Sequence, residues 1–374
     1  MELFFTDQDY KIGGQPFSGI PFFVDGEYKL VEEINDFFLN DLLVDGKVSS
    51  RKTWKNYAYW IQDFLRWAES NQIDWKAVKK KEIVAYRNWS LEECNLSPVT
   101  VNARLSCLKR FFKYAANENL IEESPITEIE SSGYVHQDAD LMSHTGKIRL
   151  KRNDLSLKID QELPKVYSEN ELQRLFSAVK SNRLNLMMRL MLEAGLRREE
   201  VTLLPESLIL DLIAAAQHAG PNSELKLPLP AEICKGKKSR TVIISYATAM
   251  KLMHYRATER PKLVRAYKVK NKTNPTAFWL TQLGTEYSPE SLTTEIARLG
   301  EKANVKEATP HKFRHTFATT LYSITGDLRL VQKLMGHSHI QTTTIYEHTA
   351  AVDQMGFFDD YQRHIDDLMS RGDR

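Results

Sequence analysis

Toward the end of this 374-residue chain, the stretch GHSHIQTTTIYEHTA (336–350) gathers His337, His339 and His348 around Tyr346. Three basic segments precede it. They are GLRREEVTLL (195–204) with Arg197, ICKGKKSRTVIIS (233–245) with Lys235, and HKFRHTFATTL (311–321) with His311 and Arg314. His311 and His315 are four apart, so on a helix they could share one metal ion. Lys312 follows the first histidine, where zinc hydrolases of that pattern carry glutamate, and a cation there repels a metal. No acidic or cysteine third ligand stands at a fitting spacing, so no metal or other cofactor is expected. His311 and Arg314, three apart, point to the same side of a helix. Two arginines, a lysine and histidines converging on one cleft would bind a phosphate, because guanidinium forks match its paired oxygens. Taken singly, each piece has a plainer reading. HxxR is usually a solvated helix face, CKGKKSR a surface turn, and one tyrosine among fifteen usually packs.

The elements that must hold these groups can be read from periodicity and caps. TWKNYAYWIQDFLRWAES spaces Tyr57, Trp60, Ile61, Phe64, Leu65 and Ala68 by threes and fours, one apolar helical stripe. A triple lysine, Lys79 to Lys81, opens the next helix. SPVTVNARLSCLKRFFKYAANEN starts with Ser97 as N-cap and Pro98 at the first helical position. Its stripe Val101, Leu105, Leu108 and Phe112 leaves Arg104, Lys109, Arg110 and Lys113 off the core face. Residues 129–163 lack periodicity and read as a linker, with the basic KIRLKR able to form a short strand or a DNA-facing strap. A second domain opens with a capping box, Ser168 with Glu171, and LNLMMRLMLEAG stops at Gly195. SLILDLIAAAQHAG reads as an added helix, and KLPLPAEICKGKKSRTVIIS as two strands around a basic turn. Phe358, Tyr361, Ile365 and Leu368 share one face of a terminal helix that would pack on its own domain or on a second copy.

Composition narrows the classes. Apolar content of 42% with 10% aromatics supports packed cores, and the length favours two domains. No apolar run is long enough to span a bilayer. The acidic N-terminus lacks the pattern of a secretory signal. Cys94, Cys107 and Cys234 fit reduced thiols in a cytoplasm. Residues 1–50 carry three lysines against ten acids, a balance of −7, whereas residues 51–130 carry +2. The whole chain is +2, so residues 131–374 carry +7. A polyanionic partner therefore suits the later regions and not the first fifty residues.

The order and spacing of the four basic segments resemble the tyrosine recombinase (phage integrase) family over roughly residues 30 to 350. Ala194 to Glu200 match its first arginine box, (T/A)GLRxxE. Cys234 to Arg240 match GKGxKxR, with cysteine in place of the usual glycine. His311 to Thr319 match HxxRH(T/S)FAT, and Met335 to His348 match LGHxxxxTTxxYxH, with methionine replacing leucine. The longer interval between Arg197 and Lys235 leaves Lys237 as the alternative to Lys235.

The resemblance implies a mainly α fold. A helical core-binding domain (30–128) would follow an acidic segment (1–29). A linker (129–163) would lead to a mixed α/β catalytic domain (164–374) with a small antiparallel sheet and a C-terminal helix at 356–370. It implies a site-specific recombinase of a phage or other mobile element, gripping double-stranded DNA between its domains. It would work as a homo-tetramer on paired sites, with accessory DNA-bending factors, in the bacterial cytoplasm. Tyr346 would be the nucleophile and His311 its base. Arg197, Arg314 and His337 would hold the phosphate, Lys235 would protonate the leaving 5′ oxygen, and Glu200 would orient side chains. Two alternatives share these residues: a type IB topoisomerase-like nicking-closing enzyme, whose relatives carry lysine where His311 stands, and a DNA-binding regulator without catalysis.

Overall fold

Two separate apolar clusters organise the chain, one drawn from residues between Ile20 and Leu155, the other from residues between Tyr167 and Met335. The computed structural model describes residues 1–44, 51–134, 147–159, 164–221 and 223–336. These divide into a first unit, Met1–Asp160, and a second beginning at Gln161.

The first unit opens with strands, within the acidic segment. β1 (Glu2–Phe5) pairs antiparallel with β4 (Pro21–Val24), Glu2 opposite Val24, around a smaller hairpin of β2 (Lys11–Ile12) and β3 (Gln15–Pro16). Phe23 is fully buried, and α1 (Glu32–Asp36) follows. The buried Asn35 amide of α1 accepts from Phe23 N at 2.6 Å and donates to Phe23 O at 3.0 Å. A buried amide needs such partners, so this pair seats the hairpin on the helices.

After a π-helical turn (Phe37–Val44) come α2 (Arg51–Ser70), α3 (Lys80–Glu92) and α4 (Pro98–Asn117). Ser97 caps α4, its Oγ accepting from Thr100 N at 3.3 Å, with Pro98 in the first turn. The α4 stripe faces the core as periodicity predicts: Val101, Leu105, Leu108 and Phe112 are all buried. In α2, Ile61, Phe64, Leu65 and Ala68 are buried, while Tyr57 and Trp60 lie half-buried at its edge. Phe64 meets Tyr86 and Phe112 edge-on at 5.2 and 5.6 Å. Several cations are neutralised locally: Lys80 pairs with Asp154, Arg104 with Asp63 and Lys109 with Glu128, at 2.6 to 2.7 Å. Beyond α4, β5 (Glu128–Tyr134) and β6 (Lys147–Asn153) form an antiparallel pair, Glu128 opposite Asn153. Leu155, just past β6, is buried in the first cluster.

The second unit is built around a central helix. α5 (Glu169–Ala178) starts at the predicted capping box: Glu171 Oε2 accepts from Ser168 N at 2.8 Å, and Ser168 Oγ from Glu171 N at 3.3 Å. α6 (Asn182–Ala194) is buried along most of its length, so its apolar residues run all round rather than along one stripe. The buried Glu193 carboxylate of α6 accepts from Thr248 Oγ1 at 2.5 Å and from the Ser245 amide. α7 (Arg198–Thr202) and α8 (Glu206–His218) follow; α8, expected as an added helix, buries Leu208, Ile209, Leu212, Ile213 and Ala216 in the core.

β7 (Glu224–Leu229) and β8 (Arg240–Ser245) form the antiparallel pair that the sequence indicates. α9 (Tyr246–Thr258), α10 (Arg260–Asn271), α11 (Pro289–Lys302), α12 (Pro310–Thr325) and α13 (Leu328–Met335) complete the unit. Trp279 lies fully buried between α10 and α11 in sequence, its Nε1 donating to Val201 O at 2.8 Å. The fold is thus mainly α with small antiparallel sheets. His337, His339, Tyr346, His348 and the expected helix 356–370 lie outside the described residues. No helix among the described residues is long and apolar enough to cross a membrane.

Candidate active site

Two helix ends meet in the second unit, and both are closed by glycine in the left-handed conformation. α6 ends at Gly195 (φ 60°, ψ 31°) and α13 at Gly336 (φ 60°, ψ 45°). That conformation suits a residue without Cβ. Space demands it too: a Cβ on Gly195 would strike the Phe317 ring of α12, and one on Gly336 would stand 2.6 Å from Arg240 Cδ.

The carbonyls that these ends leave unpaired are taken by three guanidiniums. Arg314 on α12, almost fully buried, donates Nη1 to Gly195 O and Nη2 to Met335 O. Arg197, the N-cap of α7, donates Nη2 to Met335 O and Gly336 O, each at 3.3 Å. Arg240, the first residue of β8, donates Nη1 to Leu334 O and Nη2 to Gly195 O at 3.4 Å.

One carboxylate lies beneath them. Glu200 is fully buried; its Oε1 accepts from Arg197 Nη1 and its Oε2 from Arg240 Nη2, both at 2.7 Å. Oε2 also caps α7, accepting from Arg197 N at 2.7 Å. Burial pushes the Glu200 carboxyl up, but Arg240 first and then Arg197 outweigh it and hold it below the usual carboxylate range. Arg198 next door turns elsewhere, to Glu199 at 2.6 Å and Thr293 at 3.0 Å.

Above this layer lies a cleft of about 910 Å³ lined by Arg197, Lys235, Lys238, Arg240, His311, Arg314, Arg329 and Lys333, with small and neutral residues between them. Among the described residues no carboxylate lines it. Lys235 stands in the turn Lys235–Lys237 between the two strands and reaches the cleft; Lys237, the alternative, has a positive φ of 52° and does not line it. His311 lies in the first turn of α12, one edge open to solvent, its ring packed edge-on to His315 with centroids 4.2 Å apart. Burial of its inner face, then Arg314, Arg197 and Lys235, lower its pKa below 6.5, leaving a neutral imidazole able to accept a proton. His315 is pushed down to about 4, by burial first and then by His311 and Arg314.

Lys312 does not sit beside these imidazoles. It reaches Glu171 at 3.5 Å and lies 4.5 Å over the Tyr167 ring. Among the described residues no group of three or more His, Cys, Asp or Glu side chains could hold a metal ion. Arg329 and Lys333 are cleft residues that sequence reasoning did not single out, and Arg240 entered it only as the last residue of a matched box. The first two are four apart on α13, a spacing that marks one helix face once the helix is known to end at the cleft.

Known proteins match this architecture. The family model described as Phage integrase family matches residues 165–352, and that of the phage integrase N-terminal SAM-like domain matches residues 38–122. The chain belongs to the phage integrase family, the site-specific tyrosine recombinases. It is 25% identical over 325 residues to tyrosine recombinase XerD of Oceanobacillus iheyensis, covering 84% of this chain and 93% of that protein. Against tyrosine recombinase XerC of Leptospira interrogans it is 25% identical over 320 residues, 83% of this chain and 86% of the relative. Its fold is shared with XerH recombinase bound to a palindromic difH substrate (TM-score 0.59, 19% identity, 87% of this chain and 86% of the other). A lambda integrase dimer bound to a COC' core site also shares it (TM-score 0.54, 15% identity, 84% and 95%).

Proposed function

We propose that this recombinase cuts and rejoins double-stranded DNA through a covalent 3′-phosphotyrosyl intermediate on Tyr346, in the service of a phage or other mobile element. The observation that carries the reading is the cleft itself. Arg197, Lys235, and the pair His311 and Arg314 come from three separate segments and line one cavity, with no carboxylate among its described lining residues. Such a cavity attracts a phosphodiester. Gly336 is at its edge, and His337 and Tyr346 stand one and ten positions further along the sequence.

A phenol with a pKa of about 10 is a weak nucleophile, and surrounding cations favour its phenolate. His311 takes the phenol proton. Tyr346 Oη forms the bond to phosphorus as the bond to the 5′ oxygen breaks, and Lys235 gives that oxygen its proton. Arg197 and Arg314 exchange backbone carbonyls for the non-bridging oxygens, and His337 adds one more hydrogen bond. Glu200 holds Arg197 in aim. Attack by a 5′ hydroxyl of the partner strand reverses the steps, so the phosphotyrosyl bond conserves the energy of the broken link.

Phosphate contacts of this kind give salt-dependent binding. The working assembly we infer is a homo-tetramer on paired sites, with accessory DNA-bending factors, in the cytoplasm. The free thiols Cys94, Cys107 and Cys234 support a reducing compartment. The family description supports the mobile-element assignment, and inverted repeats around a short spacer beside the gene would test it. The decisive experiment is incubation with a nicked suicide substrate. The unaltered protein should give an SDS-stable protein–DNA adduct, and Tyr346→Phe should bind DNA without forming it. An adduct that persists in that variant, or maps to another tyrosine, removes Tyr346 from the nucleophile role.

A further inference from the structure

We propose that Arg240 is a positioning residue of this site, fixing both Arg197 and the end of α13 without itself holding the reacting phosphate. The proposal rests on the reading of the cleft as a phosphodiester-cleaving site.

Three observations carry it. First, the Arg240 side chain is 7% exposed, and its Nη2 is 2.7 Å from Glu200 Oε2 while Arg197 Nη1 is 2.7 Å from Glu200 Oε1. One fully buried carboxylate therefore bridges the two guanidiniums. Without Arg240, Glu200 Oε2 loses its charged partner and keeps only the Arg197 amide, so the carboxylate fixes the Arg197 guanidinium less firmly. Second, Arg240 donates to Leu334 O and Gly195 O, so it joins the last turn of α13 to the corner between α6 and α7. Third, Gly336 packs on it: a Cβ there would stand 2.6 Å from Arg240 Cδ, so the backbone leading to His337 passes directly over this side chain.

The division of labour follows from the donors. Arg197 spends one Nη on Glu200 and the other on two carbonyls at 3.3 Å, long contacts that a phosphate oxygen can replace. Arg240 has its Nη groups on the buried Glu200 carboxylate, which it shares with Arg197, and on the carbonyls of Gly195 and Leu334. When Arg197 turns to the phosphate, Arg240 keeps α13 in place. Lysine cannot substitute, because a single ammonium has no planar fork to span Glu200, Gly195 O and Leu334 O together.

The test compares Arg240→Lys and Arg240→Ala with the unaltered protein, in DNA binding and in single-turnover cleavage of the suicide substrate. Half-site affinity should stay within about threefold while the cleavage rate falls by about 10²-fold, a kcat-type loss. Added guanidinium should restore part of the Arg240→Ala rate in a saturable manner. A substrate with sulfur at the scissile 5′ position, whose thiolate leaves without a proton, should rescue Lys235→Ala but not Arg240→Lys. Unchanged cleavage by folded Arg240→Lys would overturn the proposal, as would a rate loss that only tracks loss of folded protein. Rescue by the sulfur substrate would also overturn it, making Arg240 a proton donor. If Arg240→Ala does not fold, Arg240→Lys still decides the matter. If the unaltered protein forms no adduct on Tyr346, the reading of the cleft fails first, and this is seen before any Arg240 variant is tested.

Discussion

In the proposed role His311 must be neutral when the substrate arrives, and its surroundings favour that form. Its pKa is lowered from 6.5 by burial and by Arg314, Arg197 and Lys235. Cleavage by the unaltered protein should therefore show an acid limb centred below 6.5, measurable by single-turnover rates in matched ionic strength. A limb centred above 6.5 would mean that another group is the base. His315 adds a stability effect of defined sign. Its native pKa of about 4 lies below the ordinary 6.5, so the unfolded chain takes up the proton first. Stability should drop as pH falls from 6.5 toward 4, and His315→Gln should flatten that slope in denaturant titrations. At this scale the sequence was informative about Arg197, Lys235, His311 and Arg314, because their spacing forms boxes. It placed Arg240 in a matched box but said nothing of its contacts or of the burial of Glu200, because those arise where α7, β8 and α13 converge and no local pattern encodes that meeting.

Elements with strong local signals were legible in the sequence: Ser97 with Pro98 opens α4, and Ser168 with Glu171 opens α5. The N-terminal hairpin was not. Its four-residue strands are too short to establish a period, and their pairing joins Glu2 to Val24 across the intervening chain. KIRLKR was readable as a short strand and forms β6, but its partner β5, which it meets across residues 135–146, was not. The helix stop at Gly195 was readable, but its reason was not, since the Phe317 ring that forbids a Cβ comes from α12. Gly195→Ala should cost about 2–4 kcal/mol, from left-handed strain plus overpacking. Gly220→Ala makes the control: it has ordinary φ, its nearest neighbour is Ser223 Oγ at 4.0 Å, and it should change stability by less than about 0.5 kcal/mol. Urea unfolding of the two variants side by side checks both figures.

At the scale of the whole molecule, the chain keeps two cores, and its six tryptophans are divided unequally between them. Trp54, Trp60, Trp67, Trp75 and Trp89 fall in the first unit, and Trp279 alone in the second. The helices that dominate circular dichroism come from both. Guanidinium unfolding followed by indole emission should therefore report mainly the first unit, and its curve should not superimpose on the far-ultraviolet curve. Coincident curves would show that the units melt as one. The lone indole of the second unit is also an optical address. It is enclosed and hydrogen-bonded to Val201 O, one residue beyond Glu200. With the five indoles of the first unit replaced by phenylalanine, a red shift or quenching of the remaining emission would time the opening of the layer beneath the cleft, separately from anything the first unit does.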